Sequence, residues 1–206
     1  MTFLYYSPGS CALASLIAME EAGIAYEPRR MDLSKGDQKT PEYLKLNPKG
    51  RVPTLVTERG VITETPAILA YISQVSRNVR LAPLDDSFAF AVMQAFNNYL
   101  SSTVHVNHSH GRRGSRWSDD AAAIETMKAK VAETMTESVL LIENQLLAGP
   151  WVLGANYSVA DGYLFTVANW LPGDGVDMDR FPKVKAHGER MRDRAAVQQA
   201  LAIEKG

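Results

Sequence analysis

A chain of 206 residues, 46% hydrophobic and 22% charged, has the length and composition of one large globular domain or two small ones. Its formal net charge of -1 offers no basic field to nucleic acid or an anionic membrane, its apolar runs fall far short of the roughly 20 residues that span a bilayer, and no basic stretch followed by a long apolar one marks a secretion signal. A single cysteine excludes an internal disulfide and a multi-cysteine zinc site, and makes a reducing, cytoplasmic setting the expectation.

The first eighty residues alternate strand and helix signals. Phe3 to Tyr6 reads as a strand that ends in the turn Ser7-Pro8-Gly9-Ser10. Cys11 then opens the helical stretch Ala12 to Gly23. Tyr26 to Leu33 reads as a second strand, and Pro41 to Leu46 as a short helix stopped by Asn47-Pro48. Val52 to Thr57 and Gly60 to Thr63 form a hairpin pattern around Glu58-Arg59-Gly60, and Thr65-Pro66 opens a helix to Val75. The order β-α-β-α-β-β-α describes a small mixed sheet flanked by helices.

Beyond residue 86 the pattern is helical. Ser87 to His105 carries apolar residues at close to helical spacing. Ile124, Met127, Val131, Met135, Val139, Ile142 and Leu146 step by three or four along one long amphipathic helix, which stops at Gly149-Pro150. Ser158-Val159-Ala160-Asp161 is a capping-box variant, and Phe181-Pro182 opens a helix toward Arg194. The expected organisation is an α/β domain over 1–80, a linker over 81–86 and an all-helical domain over 87–206.

Several groups are candidates for chemistry. A helix N-terminus carries unpaired N–H groups and about half a positive charge, so a thiol there is biased toward thiolate, with pKa values of roughly 3.5–7.5. Cys11 at such a place is either a reactive thiol or a small buried hydrophobe. Val52-Pro53 starts a strand; it is either a plain strand start or a cis peptide that turns the Val52 backbone into a cleft. Glu64-Thr65-Pro66 is either a simple helix cap or a site for an α-amino acid head group, with the helix N-terminus taking the carboxylate and Glu64 the amine. Lys35, Gln38 and Lys39 lie in a polar loop that is either solvated surface or the partner of a second carboxylate. Asn98 and His105, seven apart, share a helix face over two turns, from which His105 could meet a thiolate across a cleft. His105, His108 and His110 lack the further ligands of a metal site, so no metal is expected. Arg112, Arg113 and Arg116 form a basic patch, solvated or rimming an anion site.

In combination these segments resemble the cytosolic glutathione transferases, most closely the bacterial beta type. The residues that carry the resemblance are Tyr5-Tyr6-Ser7-Pro8-Gly9-Ser10-Cys11, Asn47-Pro48-Lys49-Gly50-Arg51-Val52-Pro53, Glu64-Thr65 and Ser158-Val159-Ala160-Asp161, in family order along essentially the whole chain. The resemblance implies a thioredoxin-like first domain, an all-helical second domain with a hydrophobic substrate pocket, a homodimer, and glutathione as co-substrate with no metal. It implies that the γ-glutamyl head meets Glu64 and Thr65, that the cysteinyl backbone pairs with Val52 beside Pro53, and that the glycyl carboxylate faces Gln38, Lys39 or Lys35. The sulfur would sit near Tyr6, Ser10, Cys11 and His105, with Asn98 behind. Beta-type spacing selects Lys35, whereas Gly36-Asp37-Gln38-Lys39-Thr40-Pro41-Glu42 fits a related pattern that selects Lys39, the better match.

The activity implied is conjugation of glutathione to small hydrophobic electrophiles, with Phe96, Tyr99, His105, Arg112, Arg113 and Trp117 as candidates for the second-domain pocket. Thiol–disulfide exchange through a Cys11–glutathione mixed disulfide is one alternative. A non-catalytic binding module on the same fold is another.

Overall fold

The computed structural model describes residues 1–77 and 79–206. Strand β1 (Phe3–Tyr6) lies inside a four-stranded sheet of order β2-β1-β3-β4. It pairs in parallel with β2 (Glu27–Arg30) and antiparallel with β3 (Thr54–Thr57), which forms a hairpin with β4 (Gly60–Thr63). The crossover is helix α1 (Ala12–Ala22), which packs against α3 (Thr65–Val75). A short helix α2 (Pro41–Leu46) precedes β3. From Ala12 to Met19 every residue of α1 is buried, because both of its faces are covered. It ends at Gly23, whose φ of 62° is the left-handed conformation that glycine adopts without steric cost.

The second half is helical: α4 (Ser87–Tyr99), α5 (His105–Arg113), α6 (Ala121–Ala129), α7 (Val131–Leu141), α8 (Val159–Ala168), α9 (Pro182–Arg192) and α10 (Ala195–Lys205). The apolar α8 is its centre, packed against α1, α4 and α9. The capping box at its start is complete and extends into a buried hub. Asp161 accepts from the Ser158 amide at 2.8 Å and from the Val152 amide at 2.7 Å, and lies 3.0 Å from His187 Nε2.

The two halves are tied at several points. Tyr6 donates its hydroxyl to the Ile203 carbonyl at 2.9 Å, and the Gly9 amide donates to Glu204 at 3.1 Å. Arg194 makes a two-pronged ion pair with Glu21, at 2.5 and 2.9 Å. Between α3 and α4, Leu81 and Ala82 are buried, and the Val159 amide donates to the Leu81 carbonyl.

The structure departs from the sequence reading in local ways. β2 is confined to Glu27–Arg30 within the longer apolar and basic run. The helix expected to end at His105 continues to Arg113 through a π-helical turn at Leu100–Val104. The long helix over Ile124 to Leu146 is interrupted at Lys130 and ends in a second π turn, Ile142–Leu146. Helix α10 lies beyond the last helix marked by a sequence signal, within the all-helical stretch expected over 87–206. At α3 the cap is Glu64 rather than Thr65, which is the first helical residue.

Candidate active site

A cleft of about 380 Å³ separates the two halves. One wall comes from the β1–α1 turn (Pro8 to Cys11), Gln38 and the segment Gly50–Val52. The other comes from α5, the turn after it and Trp170. The Val52–Pro53 peptide is cis, and Val52 lines the cleft.

Cys11 is 7% exposed, and its thiol donates to the Val52 carbonyl at 3.7 Å. Burial pushes its pKa above the ordinary value, and the Thr65 hydroxyl and Arg113 guanidinium beside it only partly offset that. Burial thus opposes the bias toward thiolate expected of a helix N-terminus. Ser10 lines the cleft, but its hydroxyl is committed to the turn, donating to the Ser7 carbonyl at 2.6 Å and accepting from the Ala12 amide at 3.3 Å. Tyr6 belongs to the core, with its hydroxyl on Ile203, and is not among the residues that line the cleft.

Across the cleft, burial and then the neighbouring His108, Arg113, Arg116 and Arg51 lower the His105 pKa to about 4, which leaves a neutral imidazole at pH 7. Its ring centroid is 5.0 Å from that of Trp170. His108 stacks on the same indole at 4.4 Å and 20°. Its Nδ1 lies 2.7 and 2.9 Å from the two carboxylate oxygens of Asp174 and donates its proton to them. Trp170 donates its indole N–H to the Gly9 carbonyl at 3.0 Å. In the sequence His108 reads only as one histidine of three, and nothing marks Trp170 or Asp174. The i, i+3 spacing of His105 and His108 was the available clue.

Gln38 lines the cleft, whereas Lys35 is paired with Asp32 at 3.3 Å and Lys39 is exposed; neither lysine is among the lining residues. Arg51, adjacent to Val52, is the first-domain cation that does line it. Glu64 holds a φ of 74°, a conformation that costs a non-glycine residue about 1 kcal/mol or more. Its carboxylate pairs with Lys49 Nζ at 2.5 Å. Thr65 is buried, with its hydroxyl beside the Cys11 thiol and the Tyr163 phenol. Asn98 is exposed and outside the cleft, because the π turn takes up more residues per turn and puts Asn98 and His105 out of phase.

The wall beside Cys11 is polar and aromatic rather than the expected apolar pocket. Phe96 and Tyr99 line a separate apolar groove of about 1010 Å³, while Arg112, Arg113, Arg116 and Trp117 do line the cleft. Among the described residues no group of His, Cys, Asp and Glu side chains is arranged to hold a metal ion, and no helix is long and apolar enough to cross a membrane.

A mixed sheet with a cis-proline strand start, a thiol at the first helix and an all-helical second half define a thioredoxin-like domain joined to a helical one. The chain belongs to the glutathione S-transferase family: the family models "Glutathione S-transferase, N-terminal domain" and "Glutathione S-transferase, C-terminal domain" match residues 1–74 and 90–195. A glutathione transferase homologue from Sulfitobacter, solved with bound glutathione, is 43% identical with a TM-score of 0.94, covering 100% of this chain and 97% of that one. A bacterial beta-class glutathione S-transferase from Sphingomonas chungbukensis is 30% identical with a TM-score of 0.85, covering 98% of each. Glutathione S-transferase GstA of Escherichia coli O157:H7 is 29% identical over 208 residues, with 98% of each chain covered.

Proposed function

We propose that this enzyme binds glutathione along the first-domain wall and transfers its thiolate to an electrophile held against α5. The observation that carries the reading is the placement of Cys11, Val52 and His105 around one cleft between the two halves. The γ-glutamyl ammonium would compete with Lys49 for Glu64, and the neighbouring carboxylate would take the backbone amide of Thr65 at the α3 N-terminus. The cysteinyl backbone would pair with Val52. The glycyl carboxylate would face Gln38 and Arg51, with Lys39 and Lys35 outside them. Neutral His105 and the Arg113 guanidinium would stabilise the glutathione thiolate, and proximity to the electrophile would supply much of the remaining rate.

Disulfide exchange through Cys11 is the competing reading, supported by the presence of its thiol on the cleft wall. A buried, protonated thiol that donates to Val52 is a poor nucleophile, which favours conjugation by glutathione's own sulfur. A homodimer goes with this reading. On α4, Phe88 is 78% exposed and Val92 46% exposed, and both border the apolar groove. A cytoplasmic location also goes with it, because a free thiol and reduced glutathione persist in a reducing compartment.

The test is calorimetric titration with glutathione, followed by conjugation assays on the wild type and Cys11→Ala. Glutathione binding with conjugation retained in the variant supports the proposal. Absence of binding at millimolar glutathione, or loss of all activity with Cys11, overturns it.

A further inference from the structure

Four arginines face this one cleft. Arg51 stands on the first-domain wall, and Arg112, Arg113 and Arg116 stand on α5 and the turn after it. Among the described residues none of the four guanidiniums forms an ion pair with a carboxylate, and no Asp or Glu lines the cleft. An acidic group behind that wall, Asp174, is turned onto His108 and is 6% exposed. The cations crowd each other: burial and the charges of Arg113 and Arg51 lower the Arg116 pKa, and Arg113, Arg116 and Arg51 all disfavour a proton on His105.

Glutathione answers only part of this charge. Its γ-glutamyl end belongs at Glu64, so what it brings to the cleft is one glycyl carboxylate and one thiolate. Even with Asp174 set against a third guanidinium, one cation is unanswered. It lies on the helical wall, where the second substrate must lie. Like charges held together in a partly desolvated cleft repel, and the arrangement gains most from a ligand that arrives with an anionic group. A guanidinium fork matches a carboxylate with two parallel hydrogen bonds, and fixes its orientation as well as its charge.

We propose that the second substrate is an organic anion, an electrophile carrying a carboxylate that Arg112, Arg113 and Arg116 recognise on the helical wall. This inference rests on the glutathione-conjugation reading above and replaces the hydrophobic electrophile suggested by family resemblance. The ring or chain of the substrate would lie against Trp117, 47% exposed at the mouth, and its reactive carbon would point toward the glutathione sulfur.

The experiment uses the full chain and a matched pair of probes, 4-chloro-3-nitrobenzoate and the uncharged 4-chloro-3-nitrobenzamide. Binding of each is measured by calorimetry on protein saturated with S-methylglutathione, which fills the glutathione site without reacting. The benzoate is expected to bind at least tenfold more tightly, with an advantage that shrinks as salt is raised. With glutathione itself, kcat/KM for each probe is divided by its uncatalysed rate, and the same preference is expected. Arg113→Gln combined with Arg116→Gln should bring the benzoate-to-amide ratio close to one, whereas Arg113→Lys should keep most of it. Equal binding of the two probes by glutathione-competent protein, or a double variant that keeps the preference, overturns this inference alone. Failure to bind S-methylglutathione overturns the conjugation reading and this inference with it.

Discussion

The indole N–H of Trp170 donates to the carbonyl oxygen of Gly9 at 3.0 Å, so a residue just past α8 holds the turn that carries Ser10 and Cys11. The same indole supports His105 and His108 on the opposite wall. One side chain thus fixes the spacing of the two walls. Trp170→Phe keeps an aromatic surface and removes the donor. The expected effects are a loss of about 1 kcal/mol, seen as a fall of about 2–4 °C in Tm, and a several-fold lower kcat/KM with glutathione. Thermal unfolding and steady-state kinetics check both.

Cys11 should behave as a masked thiol. Burial raises its folded-state pKa above its unfolded value, so the stabilisation it gives is complete at neutral pH and is lost as pH rises past about 8.5. Alkylation by iodoacetamide at pH 7 is expected to be far slower than for free cysteine. Cys11→Ala should flatten the alkaline limb of the stability curve. Denaturant titrations between pH 7 and 10 on wild type and variant measure the difference.

His105 has the opposite sign. Its folded pKa of about 4 lies below the ordinary value near 6.5, so the folded state resists the proton that the unfolded chain takes up. Stability attributable to it is full above about pH 6.5 and declines as pH falls toward 4. The pH–rate profile should show no limb near 6.5 from this residue. In His105→Asn, the loss of stability between pH 6.5 and 4 should be smaller, as followed by urea unfolding.

Asp161 should be the most sensitive polar residue of the helical half. It is fully buried and serves two backbone amides, the Ser158 hydroxyl and His187. Asp161→Ala strands those donors and is expected to cost about 3–5 kcal/mol. Asp161→Asn should cost less. Chemical denaturation and the yield of soluble protein report the order.

The exposed apolar face of α4 predicts the oligomeric state. Phe88→Asp places a charge on the border of the groove and should convert a dimer into monomers by light scattering, at little cost to the folding of the monomer. A wild-type protein that is monomeric at micromolar concentration would remove the dimer from the proposal.

Much of the fold was legible where its signals are local. The Pro-Gly turn before Cys11, Pro41 at the start of α2, the hairpin around Gly60 and the Ser158 capping box are each set within a few residues, and each stands where the sequence put it. The helical wall was not legible in the same way. His108 and Asp174 are 66 positions apart, Trp170 and Gly9 161 positions apart, and only packing of α8 against α1 brings the last pair together. Phase was a second obstacle. A heptad step from Asn98 to His105 assumes an unbroken α-helix, and the π turn at Leu100–Val104 changes which residues share a face. Cys11 shows a third: helix-end position and burial act on its thiol in opposite directions, and the extent of burial is a property of the finished fold.

The contacts from Tyr6 to Ile203 and from Gly9 to Glu204 give the cleft an order of construction. During synthesis the turn that bears Cys11 emerges early, yet two of its anchors follow almost two hundred codons later. The first-domain wall therefore waits, incomplete, until α10 docks beneath it. Proteolytic nicking before Ala195 should silence a site whose own residues are all still present.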